Sequence, residues 1–154
     1  MAVLDKLWSA LRSDPDFKGM GDEQNQAVVD ALVAMIFSDA NLDPVEAKEF
    51  DRQVRQLPWR WANDERAREK VIAAAREKVD ALADQTAAKA FAQSVAQRLP
   101  GLAVREKVFG MCVAITMADK KIEAGEGRML FLLSEAFGFD KARADALAAE
   151  VKRG

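Results

Sequence analysis

Two segments of this 154-residue chain are apolar on every face of a helix, and they limit the folds that the chain can adopt. Residues 31–37 (ALVAMIF) and 108–118 (VFGMCVAITMA) contain no charged side chain. A helix that is hydrophobic all round belongs either in a membrane or in the centre of a folded domain. Both segments are shorter than the roughly 20 residues that a membrane-spanning helix needs. They therefore predict two central helices of an all-α domain, with no membrane insertion.

The remaining segments are predicted to be amphipathic helices that surround this central pair. Apolar residues recur at helical spacing, and most Gly and Pro residues fall between the periodic segments. Asn63 and Asp140 are the expected N-caps of two helices, and Gly138 is the expected residue after the end of a third. The expected helices cover residues 3–12, 23–39, 44–57, 64–83, 85–98, 102–118, 124–137 and 141–152. We predict a single-domain bundle of about seven to eight helices around the two apolar ones.

An acidic motif follows each of the two apolar helices. The two copies share their spacing: Asp39, Asp43 and Glu46 in the first, and Asp119, Glu123 and Glu126 in the second, at an offset of 80 residues. Each motif separates an apolar helix from the next helix, so the chain contains two helix–acidic turn–helix halves, at about 22–62 and 102–152. This repeat predicts a pseudo-twofold domain over 21–154, preceded by a helix and loop at 1–20.

The acidic motifs have two interpretations, helix capping and cation binding. Asp43 and Glu46 fit the N-cap and N3 positions of a capping box, with Pro44 at N1. Asp39 and Asp119 instead fall in the last turn of the preceding helix, where the helix dipole disfavours an anion. Each of these two aspartates either accepts hydrogen bonds from the free N–H groups of the next helix or helps to hold a cation.

The cation interpretation predicts a cluster of oxygen ligands only. Asp39, Asn41 and Asp43 match positions 1, 3 and 5 of an EF-hand loop. The match then fails, because Pro44 replaces the required Gly and Phe50 replaces the bidentate Glu. The chain has no His and one Cys, so a hard divalent cation such as Ca²⁺ or Mg²⁺ is the expected cofactor. The candidate metal ligands are Asp39, Asn41, Asp43, Glu46, Asp119, Glu123 and Glu126.

Composition argues against several classes of function. Lys and Arg number 23 and Asp and Glu number 25, so the net charge of −2 gives no electrostatic attraction to nucleic acid. The absence of His and Tyr removes two common acid–base groups, and no catalytic constellation is visible, so we expect a non-enzymatic protein. Asp5 and Lys6 interrupt the apolar core that a signal peptide needs. A single Cys indicates a reducing compartment, and the expected location is the cytoplasm.

Three further side chains invite a functional interpretation. Cys112 lies inside an apolar helix, which predicts a buried and inert thiol. Trp59 and Trp61 flank Arg60 at a helix junction. These tryptophans either pack beneath the loop or anchor a partner, because Trp is enriched at interaction hot spots.

At its two acidic motifs the sequence resembles the TerB and TerB-like family of tellurite-resistance proteins. The resemblance rests on residues 34–46 and 114–126, with 137–140 closing the second stretch, and it extends over roughly 22–152. Ala40 and Lys120 stand where the family pattern has Gly.

The resemblance implies both a fold and a role. The implied fold is an all-helical, pseudo-symmetric bundle. The implied role is in resistance to tellurite or other chemical stress, through an acidic metal-binding or scaffolding surface and with a TerC-like membrane protein as partner. The alternative is a plain helical protein–protein interaction module, whose acidic turns only cap helices.

Overall fold

The chain is all-helical in a computed structural model that describes residues 8–9, 11–36, 44–118 and 124–153. Helical residues 8–9 and 11–13 are here termed α1. The other helices are α2 (Pro15–Lys18), α3 (Asp22–Ile36), α4 (Pro44–Arg55), α5 (Glu65–Asp80), α6 (Gln85–Arg98), α7 (Leu102–Ala118), α8 (Ala124–Ala136) and α9 (Lys141–Arg153). These ranges contain no β-strand, so the predicted all-α class is confirmed.

The central pair of helices was predicted correctly. Residues 31–35 of α3 and 108–114 of α7 are all buried, and Leu32 is fully inaccessible to solvent. The two helices are in contact, with the Cys112 Sγ 4.0 Å from the carbonyl oxygen of Ala31. Helix α3 also packs against α5, α6 and α8, whereas α7 packs against α8 and α9. The apolar segments therefore occupy the middle of the bundle, where the amphipathic helices cover them.

Aspartate side chains cap the first turns of several helices. The Asp84 Oδ1 accepts a hydrogen bond from the Ala87 N–H of α6 at 2.8 Å, and the Asp140 Oδ1 accepts one from the Arg143 N–H of α9 at 2.8 Å. The N-cap expected at Asp140 is thus confirmed. These carboxylates satisfy N–H groups that the helix itself leaves without a partner.

The N-cap expected at Asn63 is wrong by one residue. The cap of α5 is Asp64, whose Oδ1 accepts hydrogen bonds from the Arg66 and Ala67 N–H groups at 3.0 and 3.2 Å. Asp64 has the extended backbone that an N-cap needs. The turn before it closes with a hydrogen bond from the Asp64 N–H to the Trp61 carbonyl. Asn63 lies within that turn and is exposed.

Two other helix boundaries differ from the expectation. The stretch around Asp14 and Pro15 was expected to be a loop, but it begins the short helix α2, with Asp14 as N-cap and Pro15 in the first turn. The helix expected over 64–83 ends at Asp80, because the chain must turn before Asp84 can cap α6. At the end of α8 the expectation holds: Gly138 has φ 85°, and the Phe139 N–H bonds back to the Ser134 carbonyl at 3.0 Å.

The N-terminal segment packs against the bundle. Trp8 and Leu11 are buried, and the Trp8 ring meets the Phe50 ring of α4 edge to face, with 6.1 Å between centroids. The Arg12 Nη1 donates to Gln53 and Gln56 of α4 at 3.0 and 2.9 Å. Apolar and polar faces of α1 thus both contact α4. The division of the chain at residue 20 stays a prediction.

Candidate functional site: a cavity between α3, α5, α6 and α8

The predicted metal ligands border the described structure but lie almost entirely outside it. Asp39, Asn41, Asp43, Asp119 and Glu123 are outside the described residues. Glu46 and Glu126 lie on α4 and α8, and their side chains are outside the description as well. Within the ranges that are described, no three Asp, Glu or Cys side chains come close enough together to hold a metal ion. The seven-residue ligand set therefore stays a prediction.

A cavity of about 250 Å³ is lined in part by residues that precede the first motif and follow the second motif in the sequence. Ala34 of α3, shortly before the first motif, contributes to its wall. Arg128 and Met129 of α8, shortly after the second motif, contribute to the same wall. Described residues on the flanks of the two motifs thus meet at one place, which we term the α5–α6 cavity after the connection that closes it.

The α5–α6 cavity has an apolar interior and a polar edge. Met129 and Leu132 of α8 are buried, while Leu82 of the α5–α6 connection is half-buried. The polar lining residues are all exposed: Asp80, Asp84, Gln85 and Arg128. An apolar group could therefore enter the cavity while charged groups at its edge remain in contact with water.

The charged groups at the cavity edge are two carboxylates, Asp80 and Asp84, and one guanidinium, Arg128. Asp80 is the last residue of α5, at the end where the helix dipole already places partial negative charge. Asp84 is exposed and uses one carboxylate oxygen to cap α6. Neither Asp80 nor Arg128 forms an ion pair with another residue in the described part of the chain. With two aspartates and one arginine, the cavity edge carries a net negative charge, which favours a positively charged group.

A buried ion cluster lies one helical turn from the cavity. The Asp30 carboxylate of α3 is fully inaccessible and accepts hydrogen bonds from Lys78 of α5 at 2.9 Å and from Gln26 at 2.9 Å. Arg98 of α6 forms a further ion pair with it at 2.8 Å. Ala34 follows Asp30 by one turn of α3, and the cluster joins α3, α5 and α6, three of the four helices that line the cavity.

Sequence analysis did not single out Asp30, although a signal was present. The acid interrupts an otherwise apolar run, AVVDALVAM, over residues 27–35. A lone acid on a helix predicted to be central must be paired, because an unpaired buried charge costs several kcal/mol. Its partners could not be read from the sequence, since Lys78 is 48 residues away.

Comparison with known proteins identifies the family. The model of the family described as tellurite resistance protein TerB matches residues 25–149. The chain belongs to the TerB family. The match includes both acidic motifs and most of both helix–acidic turn–helix halves, as the resemblance of the motifs predicted. No curated protein and no solved structure matches this TerB-family chain. None of its helices in the described ranges is both long and apolar enough to cross a bilayer.

The remaining candidate side chains of the TerB-family protein are structural. Cys112 is buried, and this burial raises the pKa of its thiol to about 12, so the thiolate is scarce at neutral pH. Trp59 and Trp61 are buried, and the Trp59 Nε1 donates to the Phe17 carbonyl at 2.8 Å. The tryptophans therefore pack inside the bundle, and the interpretation that they anchor a partner is wrong.

Proposed function

We propose that this TerB-family chain is a non-enzymatic stress-response protein whose two acidic motifs bind a divalent cation, Ca²⁺ or Mg²⁺. The observation that supports it is the shared cavity: residues that flank the first motif and residues that flank the second line one wall. Carboxylates gathered from two motifs repel one another, and a bound cation relieves that repulsion. The proposed ligands are Asp39, Asn41, Asp43, Glu46, Asp119, Glu123 and Glu126.

The proposed mode of action is binding rather than chemistry. In the cytoplasm, the cation-loaded acidic surface would engage a protein partner, for which a TerC-like membrane protein is the candidate. Tellurite or metal stress would then be sensed or relayed by a change in that complex. The buried core supplies the rigid scaffold on which such a surface can be held in place.

A second candidate function, a plain interaction module, is favoured by the capping pattern of this chain. Asp14 caps α2 with Pro15 at the next position, and the sequence has the same Asp-Pro pair at Asp43 and Pro44, where α4 begins at Pro44. Asp64, Asp84 and Asp140 also cap helices. In this alternative the acids of the motifs serve only as caps and bind no metal.

Thermal denaturation with and without divalent cation separates the two candidates. If the motifs bind metal, millimolar Ca²⁺ or Mg²⁺ stabilises the wild type by up to ~2.7 kcal/mol when the free cation is at 100 times its dissociation constant. Asp39→Asn then removes most of that gain and leaves the metal-free protein as stable as before. If Asp39 only caps, Asp39→Ala costs ~1 kcal/mol with or without metal, whereas Asn retains the cap.

A control variant keeps the measurement specific. Asp64→Asn alters an acid that caps α5, so it must leave the cation-dependent gain unchanged. Superimposable melting curves of the wild type with EDTA, Ca²⁺ and Mg²⁺ contradict metal binding, and the seven proposed ligands are then withdrawn.

A further inference from the structure

We propose that the α5–α6 cavity docks a protein partner by holding one large apolar side chain that stands next to a basic residue. This inference deepens the partner-binding part of the proposed function by naming the chemistry of the partner. It does not depend on the cation, because the residues that carry it are outside the acidic motifs.

The size of the cavity selects the kind of occupant. At about 250 Å³ it is smaller than the range of roughly 300–1,000 Å³ that is typical of small-molecule and cofactor sites. It is open to solvent and can take a single aliphatic or aromatic side chain. Leu82, Met129 and Leu132 offer that side chain an apolar surface. A side chain presented by a partner fits these dimensions better than a cofactor does.

The charge of the cavity edge indicates which residue of the partner lies next to that apolar side chain. The Asp80 and Asp84 carboxylates, together with the negative end of the α5 dipole, outweigh the one positive charge of Arg128, so the edge attracts a Lys or Arg of the partner more than it attracts a phosphate. Both aspartates are exposed, so a basic group can reach Asp80 and the Asp84 carboxylate oxygen that does not cap α6.

The other two polar lining residues can hold a peptide backbone. Arg128 and Gln85 carry N–H donors at the cavity edge. A partner segment that inserts an apolar side chain presents its own carbonyl groups nearby, and these accept hydrogen bonds from such donors. The arrangement thus provides an apolar contact, a charge contact and backbone contacts for one short segment.

The test uses three short peptides on the full-length ¹⁵N-labelled chain in buffer with EDTA. The peptides are acetyl-Arg-Leu-Arg-amide, acetyl-Arg-Ser-Arg-amide and acetyl-Glu-Leu-Glu-amide. The first is expected to shift the backbone amide signals of residues 79–88 and 128–132 in a saturable way. The other two are expected to bind at least about tenfold more weakly, since one lacks the apolar side chain and the other the positive charge.

Substitutions in the chain test whether the peptide binds in the cavity. Ala88→Leu on α6 fills the cavity with a side chain that favours helix, so it should abolish the shifts while the rest of the spectrum is retained. Asp80→Asn should weaken binding of the Arg-Leu-Arg peptide several-fold. Glu69→Gln is the matched control on an exposed position of the same helix and should leave binding unchanged. If Ala88→Leu unfolds the chain, the peptide affinities of Asp80→Asn and Glu69→Gln are compared instead, and only the Asp80 variant is expected to bind more weakly.

Several results overturn the proposal. Equal affinity for the three peptides shows that neither the apolar side chain nor the positive charge is recognised. Shifts that map elsewhere, or no shifts at all, show that the cavity does not dock such a segment. Shifts of residues 79–88 on dilution without peptide show that a second copy of the chain occupies the cavity instead. Because EDTA is present throughout, a failure of cation binding leaves these outcomes unaffected.

Discussion

The burial of Asp30 is tolerated because three donors surround its carboxylate. Lys78, Arg98 and Gln26 supply one contact each, at 2.9, 2.8 and 2.9 Å. The Arg98 side chain is only 14% exposed, so loss of the acid would leave a largely desolvated cation without its counter-charge. Breaking a buried ion pair on one side is more destabilising than replacing both partners, because the remaining charge is still buried.

Asp30→Asn should lower the free energy of unfolding by about 3 kcal/mol, measured by urea denaturation. Asp80→Asn removes an exposed acid and should change it by less than about 0.5 kcal/mol. The double variant Asp30→Asn with Arg98→Met should cost less than the sum of the single changes. Equal effects of the Asp30 and Asp80 substitutions would contradict the role assigned to the buried cluster.

A second charge contact joins the N-terminal segment to α7 and should respond to pH. Lys107 forms ion pairs with Asp14 and with Asp16, the latter at 3.0 Å. Burial acts to raise the pKa of Asp14, but hydrogen bonds from Lys107 and from the Asp16 N–H outweigh it and hold that pKa below 3.8. The hydrogen bond to Asp14 is the main cause that raises the pKa of Lys107 above 10.5.

Lys107→Met should therefore destabilise the protein only within a pH window. The contribution of Asp14 is fully present above pH 3.8 and is lost as the pH falls through its lower folded-state pKa. That of Lys107 is fully present below pH 10.5 and is lost as the pH rises through its higher folded-state pKa. Lys107 is 42% exposed, so the difference should be ~0.2–1 kcal/mol near neutral pH. Urea denaturation of wild type and variant at a series of pH values measures it, and a difference that does not diminish as the pH falls below 3.8 contradicts this assignment.

At the level of helices, local rules predicted most boundaries and failed where two good capping residues are adjacent. The predictions for Asp140 and Gly138 were correct, because neither residue has a second strong capping residue next to it in the sequence. Asn63 and Asp64 are both strong N-cap residues, and only the turn that precedes α5 decides between them. The α5–α6 cavity was beyond such rules, since it forms where a connection meets α8 in space.

The position of the α5 cap can be tested with a matched pair of substitutions. Asp64→Ala removes the acceptor for two N–H groups and should cost ~1 kcal/mol. Asn63→Ala removes an exposed side chain and should cost less than about 0.5 kcal/mol. Thermal denaturation followed by circular dichroism compares them. A larger loss for the Asn63 variant would show that α5 begins one residue earlier.

At the scale of the whole molecule, the sequence predicted the centre of the bundle but left the acidic motifs open. The central pair was predictable because apolarity on every face leaves a short helix no position except the core. The metal ligands were not predictable from the sequence, because helix caps and cation ligands use the same acidic residues at the same spacing. Distinguishing them requires side-chain positions, and those of Asp39 and Asp119 are outside the described residues.

Contact between α3 and α7 implies that the two halves of the repeat unfold together. All three tryptophans, Trp8, Trp59 and Trp61, precede the second half, so fluorescence reports on the first half while circular dichroism reports on every helix. Leu133 of α8 is fully buried in the second half, and Leu133→Ala should cost about 2–5 kcal/mol.

In urea, Leu133→Ala should shift the fluorescence and circular dichroism midpoints by the same amount, although it lies far along the chain from every tryptophan. Phe131→Ala on the same helix is the control, because Phe131 is 59% exposed and its loss should move either midpoint only slightly. A fluorescence midpoint that stays at the wild-type value while the circular dichroism midpoint falls would show that the halves unfold independently. The central pair would then be a contact between two units, and the single core inferred from the two apolar segments would be wrong.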